Sequence, residues 1–430
     1  DDGLDQTPAM DRFAQDALVY SSAYNPGNWT KPSVASIMTS LYPSSHGVRR
    51  PIDRVSGDLT LMSERFQDAG FVTASFVANA YITPTYGFGQ GWSHHRNYIK
   101  EPPANTSADY VVDDTIKWLD ANGDSDKRKF LYVHVIDPHA PYSAWPSFRK
   151  KFWDERYEGK IVPYLTDRQM NRVQQGRFKA TETDQRFVNA LYDAEVAFTD
   201  HHFERLMNAL KERGLYDDTA ILVVSDHGEE FWDHDRAGHG HSPHEELLHS
   251  PFFLRYPDRV PRGRVLPQVI STVNVAPTLL DLADVPMWDG AEGRSLVGEF
   301  DGSGQSVPDV ALFEGQSRFM GVRAGRYRFV IYKGGDRKLF DLLEDRTEQH
   351  DLAAERPIAQ TYARTIMGLM LGASHKGQWW SSEQAGAPSL EIASQAAEVD
   401  EETRMQLEAL GYVEGVFMEE AVEEDDLAND

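Results

Sequence analysis

Cysteine is missing altogether from this chain of 430 residues. No disulfide therefore closes a loop, no thiolate serves as nucleophile or metal ligand, and the redox compartment is left open. Long apolar runs are missing too: none approaches the ~20 residues that a membrane-spanning helix needs. Positive charge is scarce, with 43 Lys and Arg against 68 Asp and Glu, a formal balance of −25. That balance argues against nucleic acid or an anionic membrane as a binding partner. It leaves room for an anionic substrate, because a metal ion and local donors reverse the field inside a pocket. No internal repeat is visible. Aromatic residues, by contrast, are plentiful at 9 Trp, 18 Tyr and 21 Phe, enough to furnish a large core. The length suits an α/β core of roughly 300 residues with a smaller appendage.

Apolar runs at 71–78, 130–136, 220–225 and 251–257 read as strands. They alternate with helical patterns at 8–17, 58–69, 108–121, 184–213 and 272–285. This alternation predicts an α/β fold, with a mainly parallel central sheet and helices on both faces. A Gly-rich, acidic stretch at 289–304 marks a boundary. Beyond it VALFEG, MGVRAGRYRFVIYK and RKLFDLL read as short strands of a small antiparallel sheet. The expected organisation is a catalytic core at 1–300, a small α+β subdomain at 301–370, and an acidic, partly mobile tail at 371–430. The long aromatic segment 143–183 suits either a lid or a peripheral helical insertion.

Two segments carry chemistry. Residues 29–47, WTKPSVASIMTSLYPSSHG, set the hydroxyl of Thr30 in a stiff turn that leads into a helix. Pro32 suits the first helical turn, and Ser33 and Ser36 lie near its free backbone donors, a seat for an anion. The plain alternative makes Thr30 an ordinary N-cap. Residues 220–249 run AILVVSDHGEEFWDHDRAGHGHSPHEELLH, so a buried-strand pattern delivers Asp226 and His227 to its carboxyl end, where open α/β sheets bind ligands. Asp and neutral His are standard ligands for divalent metals. His234, His239, His241, His244 and His249 follow closely. His244 and His249 flank a helical EELL run and read as solvated. His239, between Gly238 and Gly240, reads as functional.

These segments resemble the sulfatase family of the alkaline phosphatase superfamily. The likeness continues in TPAMDRFAQDALVYSSAY at 7–24, FLYVHVIDPHAPY at 130–142, the long helix before Asp226, KLFDLLEDRTEQHDL at 338–352 and LEALGYV at 407–413. In that family the position of Thr30 holds a Cys or Ser that is oxidised to formylglycine. Threonine cannot give the aldehyde, because its β-carbon carries a methyl group. The family's Arg after Pro-Ser is here Val34. The resemblance therefore implies a threonine-bearing branch, with chemistry nearer to the phosphoesterase relatives: a threonyl ester has to be opened by water, a route that phosphorus tolerates better than sulfur.

The resemblance further implies one divalent metal ion (Ca, Mn, Mg or Zn) bridging Thr30, Asp226 and His227 and activating the threonine hydroxyl. His139 is expected on the leaving-group side, as general acid or hydrogen-bond donor. His239 and Asn79 fall where the family places lysines, so His239 is expected among the catalytic residues, and Asn79 and His241 on the substrate side. For Asn79 a turn-forming role is equally compatible. His46 is expected to support the loop behind the nucleophile. A second metal is possible in the His-rich loop, where His234 and His241 are unassigned. The family's first ligand, an Asp at the end of a strand, would lie upstream of Thr7; Asp1 and Asp2 read as loop, and that strand is expected ahead of this sequence. The implied substrate is a small-molecule, glycan or lipid ester of phosphate, phosphonate or sulfate, in the periplasm or outside the cell. A true sulfatase working without formylglycine and a catalytically silent binding protein are the alternatives. Nothing in the pattern specifies an oligomeric state.

Overall fold

The computed structural model describes residues 6–100, 105–123, 125–143, 145–153, 156–161, 169, 172–173, 177–301, 309–316, 318–373 and 394–399. Asp1, Asp2, the LEALGYV segment and most of the acidic tail lie outside the described residues. The strands in chain order are β1 (Leu18–Tyr24), β2 (Asp53–Arg54), β3 (Val72–Val77), β4 (His94–Asn97), β5 (Lys129–His134), β6 (Ile221–Val224), β7 (Glu230–Phe231) and β8 (Ala237–Gly238). They continue with β9 (His249–Ser250), β10 (Phe252–Arg255), β11 (Arg264–Ser271), β12 (Val310–Gly315), β13 (Phe319–Ala324), β14 (Tyr327–Tyr332), β15 (Arg337–Asp341) and β16 (Gln395–Ala396).

The core is α/β, as the alternation predicts. One group orders β11-β1-β10-β6, and a second orders β4-β3-β5. The second group is wholly parallel, as is the β1–β11 pair, whereas β10 runs antiparallel to both β1 and β6. The central sheet material is thus mixed where β10 enters. β1 was not among the runs that read as strands, because Ser21 and Ser22 interrupt its apolar pattern, yet Leu18, Tyr20, Ala23 and Tyr24 are all buried. Among the described residues β5 is bonded only to β3, and β6 only to β10. Leu131 of β5 and Val223 of β6 pack against the same apolar cluster.

Helices cover the sheets. The helix Glu182–Glu212 opens on a reciprocal cap in which Thr181 Oγ1 accepts from Asp184 N and the Asp184 carboxylate accepts from Thr181 N. Halfway along it, Asp200 takes hydrogen bonds from Ala9 N at 2.9 Å and Met10 N at 2.8 Å, so it caps the helix Pro8–Gln15 from another element. β12 to β15 form an antiparallel meander, the small C-terminal sheet expected beyond residue 300. The helix Pro357–Ala373 closes it, laying Ala363, Met367 and Leu371 against Leu312, Val322 and Phe329. No described helix is long and apolar enough to cross a membrane.

Candidate active site

Thr30 is the first residue of the helix Thr30–Thr39, and Trp29, in extended conformation at φ −161° and ψ 165°, holds the N-cap position. The N-cap reading of Thr30 is thereby corrected: its hydroxyl caps nothing and reaches 3.2 Å from His227 Nε2 instead. The turn before it is stitched to the His-rich loop. Asn25 N donates to Leu248 O at 2.8 Å, Gly240 N to Asn28 O at 3.0 Å, and Asn28 Nδ2 to Ser242 O at 2.9 Å. Within the turn Ser33 Oγ donates to Gly27 O at 2.9 Å. Gly27 is required there, since a Cβ would come 2.9 Å from Pro32 Cγ.

Asp226 and His227 follow directly from the end of β6, where Ser250 Oγ clasps the backbone of Ser225 from both sides. His227 Nδ1 donates to the Gly228 carbonyl at 2.8 Å, which leaves Nε2 as the acceptor facing Thr30. Burial holds His227 below the usual imidazole range, so it is neutral at pH 7 despite the Asp226 carboxylate nearby. Burial pushes the Asp226 carboxyl upward, yet His227, His134 and the Thr30 hydroxyl outweigh it and keep Asp226 below its ordinary value. Asp226 Oδ2 is buried and has no hydrogen-bond partner in the protein. An ionised carboxylate with an orphaned oxygen, a neutral imidazole and a hydroxyl make a hard, mixed O/N donor set. Thr30, Asp226 and His227 therefore fit a divalent cation.

His239 and His139 complete the cluster. The ring of His239 lies 4.3 Å from that of His227, and the ring of His139 lies 5.2 Å from that of His239, centroid to centroid. His239 Nδ1 bonds Glu229 Oε1 at 3.0 Å. Glu229 is buried, which raises its carboxyl, but His239, His139 and His227 hold it below the normal range. His139 donates from Nδ1 to the Ala140 carbonyl, and burial, with His239 close by, pushes its value down to about 4. A neutral ring whose Nδ1–H is already committed accepts through Nε2, and the site opposes its protonation.

Two expected substrate contacts have other partners. His241 is tied at both nitrogens, Nε2 to Glu230 Oε2 at 2.9 Å and Nδ1 to the His239 carbonyl at 3.2 Å, so it braces the loop. Asn79 is buried, with Oδ1 accepting from Tyr81 N at 2.8 Å in a local turn and its own carbonyl accepting from Asn97 Nδ2. His46 does support the segment behind the nucleophile. Nδ1 accepts from Val48 N and Nε2 bonds Ser36 Oγ, each at 3.0 Å, inside the core. His244 is not solvated: it is buried, and its Nδ1 lies 3.2 Å from Glu348 Oε2. His249 is exposed and bonds the Ser21 carbonyl.

Three residues escaped the sequence reading. Glu229 had a signal, standing two places beyond the Asp-His pair. His134, at the end of β5, has Nδ1 2.8 Å from Tyr132 Oη and acts electrostatically on Asp226. Lys31 is wholly buried, with its ammonium 3.9 Å above the Tyr86 ring and 5.0 Å from that of Tyr81, and it donates to the Pro51 carbonyl. It clamps the backbone next to Thr30.

A family profile described as sulfatase matches residues 1–285, and one described as N-sulphoglucosamine sulphohydrolase, C-terminal, matches residues 240–370. The chain is 24% identical over 329 residues to an endo-4-O-sulfatase of Bacteroides thetaiotaomicron, a match spanning 64% of this chain and 62% of that relative. It is 25% identical to an arylsulfatase of Clostridium perfringens, over 81% of this chain and 85% of the relative. Among solved structures, one determined in complex with its substrate D-glucosamine-2-N,6-O-disulfate superposes with a TM-score of 0.73 at 19% identity, covering 86% of this chain and 93% of the other. The phosphonate monoester hydrolase of Agrobacterium radiobacter gives 0.70 at 20% identity, covering 84% and 90%. At these identities the structural likeness is one of fold.

Proposed function

We propose, from the premise that this chain belongs to the sulfatase family whose profile spans residues 1–285, that it is a metal-dependent hydrolase of phosphate or phosphonate esters with Thr30 as nucleophile. The observation that carries the reading is the Thr30 hydroxyl 3.2 Å from His227 Nε2 beside the ionised Asp226. Thr30, Asp226 and His227 would hold the divalent ion. When bound, the ion supplies positive charge that makes the threonine hydroxyl more acidic and polarises the ester.

The residues of the chain supply the rest. Thr30 Oγ1 gives up its proton to solvent and forms a bond to phosphorus as the bond from phosphorus to the alcohol oxygen breaks, and His239, steadied by Glu229, gives a proton to the departing oxygen. His239, now neutral, then takes the proton of the water that attacks the threonyl ester, with His139 Nε2 accepting a hydrogen bond from that water; Thr30 Oγ1 leaves and regains a proton from solvent as the phosphate or phosphonate is released. Threonine has no aldehyde hydrate with which to expel the anion by elimination, so this second step is an attack at the central atom, which favours phosphorus. A sulfate-ester hydrolase working by the same route is the second reading, favoured by the sulfatase names of the relatives. The substrate is a small-molecule, glycan or lipid ester, and export to the periplasm or cell exterior is the setting that family analogy gives it.

The test is a side-by-side assay of aryl phosphate diesters, arylphosphonate monoesters and aryl sulfates with Mn, Zn and Ca. Phosphorus esters are expected to dominate, and Thr30→Ala to abolish turnover. A dominant sulfate rate that depends on Thr30 would reverse the substrate order. Metal uptake with no turnover of any ester would leave a binding protein on this scaffold.

A further inference from the structure

A second group of ligating side chains lies apart from the catalytic cluster, where the His-rich loop meets the C-terminal sheet. His234 sits in the tip between β7 and β8, His244 stands just before the short helix Glu245–Leu248, and Glu348 follows β15. One donor atom from each of the three lies within 4.8 Å of the others. Glu246 adds a fourth candidate, with Oε2 3.7 Å from His234 Nε2, while His244 Nδ1 stands 3.2 Å from Glu348 Oε2. Adjacent donors around a tetrahedral zinc ion, at bond lengths near 2.0–2.2 Å, are separated by roughly 3.4 Å. The spacing is therefore close to that of a metal shell.

Two of these atoms, His234 Nε2 and Glu246 Oε2, are buried without any hydrogen-bond partner in the protein. Buried polar atoms are rarely left so, and here both belong to good ligands. The electrostatics point the same way. Burial raises the Glu246 carboxyl to about 7, yet the three carboxyl groups of Glu245, Glu246 and Glu348 around one buried guanidinium, that of Arg328, outnumber their cation. A divalent cation balances them. The loop is also strained: Trp232 and Asp235, on either side of His234, hold positive φ of 67° and 61°, a conformation that L residues rarely adopt.

We propose that His234, His244, Glu348 and Glu246 form a zinc site that pins the His-rich loop to the C-terminal sheet. Imidazole and carboxylate donors without thiolate suit Zn²⁺ better than Ca²⁺ or Mg²⁺. The imidazoles of His234 and His244 lie stacked, with centroids 3.5 Å apart at 14°. One ring turns edge-on as the ion enters. The ion is structural: it fixes the loop that carries His239 and touches no substrate.

The test uses the full chain carrying Asp226→Asn, which weakens the catalytic ligand set, and compares it with Asp226→Asn/His234→Ala and Asp226→Asn/His244→Phe. Phe keeps an aromatic ring at position 244 and guards against simple unfolding, and circular dichroism confirms the fold of each variant. Zinc is measured by equilibrium dialysis with elemental analysis, and its ligands by X-ray absorption. Asp226→Asn is expected to retain one zinc with nitrogen ligands at ~2.0–2.1 Å. Each added substitution is expected to weaken retention by about 10-fold or more. The inference is overturned if Asp226→Asn holds no zinc, or if a folded double variant holds it as tightly as the single one. Because the readout is zinc content and coordination, it is independent of whether the protein hydrolyses phosphorus esters.

Discussion

The Thr30 hydroxyl and the His227 ring meet at 3.2 Å across 197 positions of sequence, and the same hydroxyl helps keep Asp226 below its ordinary value. Thr30→Val keeps the shape of the side chain and removes only the oxygen. It should lower hydrolysis by roughly a thousandfold, as loss of a nucleophile does, and cost about 1 kcal/mol of stability for one hydrogen bond. Steady-state kinetics beside urea denaturation separates the two effects; comparable losses in both would mean that Thr30 is a packing residue. A second residue-scale expectation concerns acid. Burial depresses His46 to about 3, well under the ordinary imidazole value of 6.5. The unfolded chain therefore binds a proton at His46 that the folded chain refuses. Stability from this group is complete above about pH 6.5 and drains as pH falls towards 3, by an amount on the order of a few kcal/mol. His46→Asn keeps an acceptor for Val48 N and removes the titration, so its urea midpoint should fall less steeply than that of the parent between pH 6.5 and 4. At this scale Thr30, Asp226, His227, His139 and His239 were legible because residue type coincided with the end of a strand or the start of a helix. Lys31 and His134 were not, since an aromatic cage and a cross-strand electrostatic partner exist only once distant segments meet.

At the scale of elements, the join between β6 and β7 is tight. Gly228 lies against the helix Glu245–Leu248 so closely that a Cβ would fall 1.9 Å from the Glu246 carbonyl oxygen, a backbone atom with no freedom to swing aside. Gly228→Ala has to push apart the segment bearing His227 and Glu229 from the one bearing His244. A loss of about 3 kcal/mol is expected in chemical denaturation, together with a fall in kcat, because His227 is the neighbouring residue. Unchanged stability would show that the loop yields freely. The sequence pattern served well for elements with one clear period, such as the helices Ala108–Ala121 and Glu182–Glu212 or the meander β12–β15. It gives no signal for β11 for a physical reason: Pro267 breaks the expected run, but among the described residues β11 is an edge strand bonded only to β1, where a residue lacking N–H is tolerated, and the register shifts opposite it between Tyr20 and Ser22. The helix Pro357–Ala373 is not among the elements expected from the pattern.

For the molecule as a whole, the issue is how the C-terminal sheet is held to the catalytic half, and the central contact is Arg328. Its guanidinium is fully buried on β14 and pairs with Glu348 at 3.0 Å and Glu245 at 2.6 Å, while Nη1 also donates to the Pro243 carbonyl at 3.0 Å. One side chain thus ties the meander to the loop that leads back to His239 and His241. A buried ion pair adds little net stability when intact, yet breaking it leaves a charge without water or partner, at a cost of roughly 3–5 kcal/mol. Arg328→Met should destabilise the chain by that amount, whereas Arg328→Met/Glu348→Gln should recover part of it, because the more deeply buried of the two stranded carboxylates has gone while Glu245 keeps some access to solvent. A double-mutant cycle by urea denaturation measures the coupling directly. Activity should behave differently. Neither variant restores the tether to Glu245 and Pro243, so kcat should remain low in the double variant even as stability returns. Recovery of both together would mean that the C-terminal sheet contributes folding energy alone and does not position the His-rich loop.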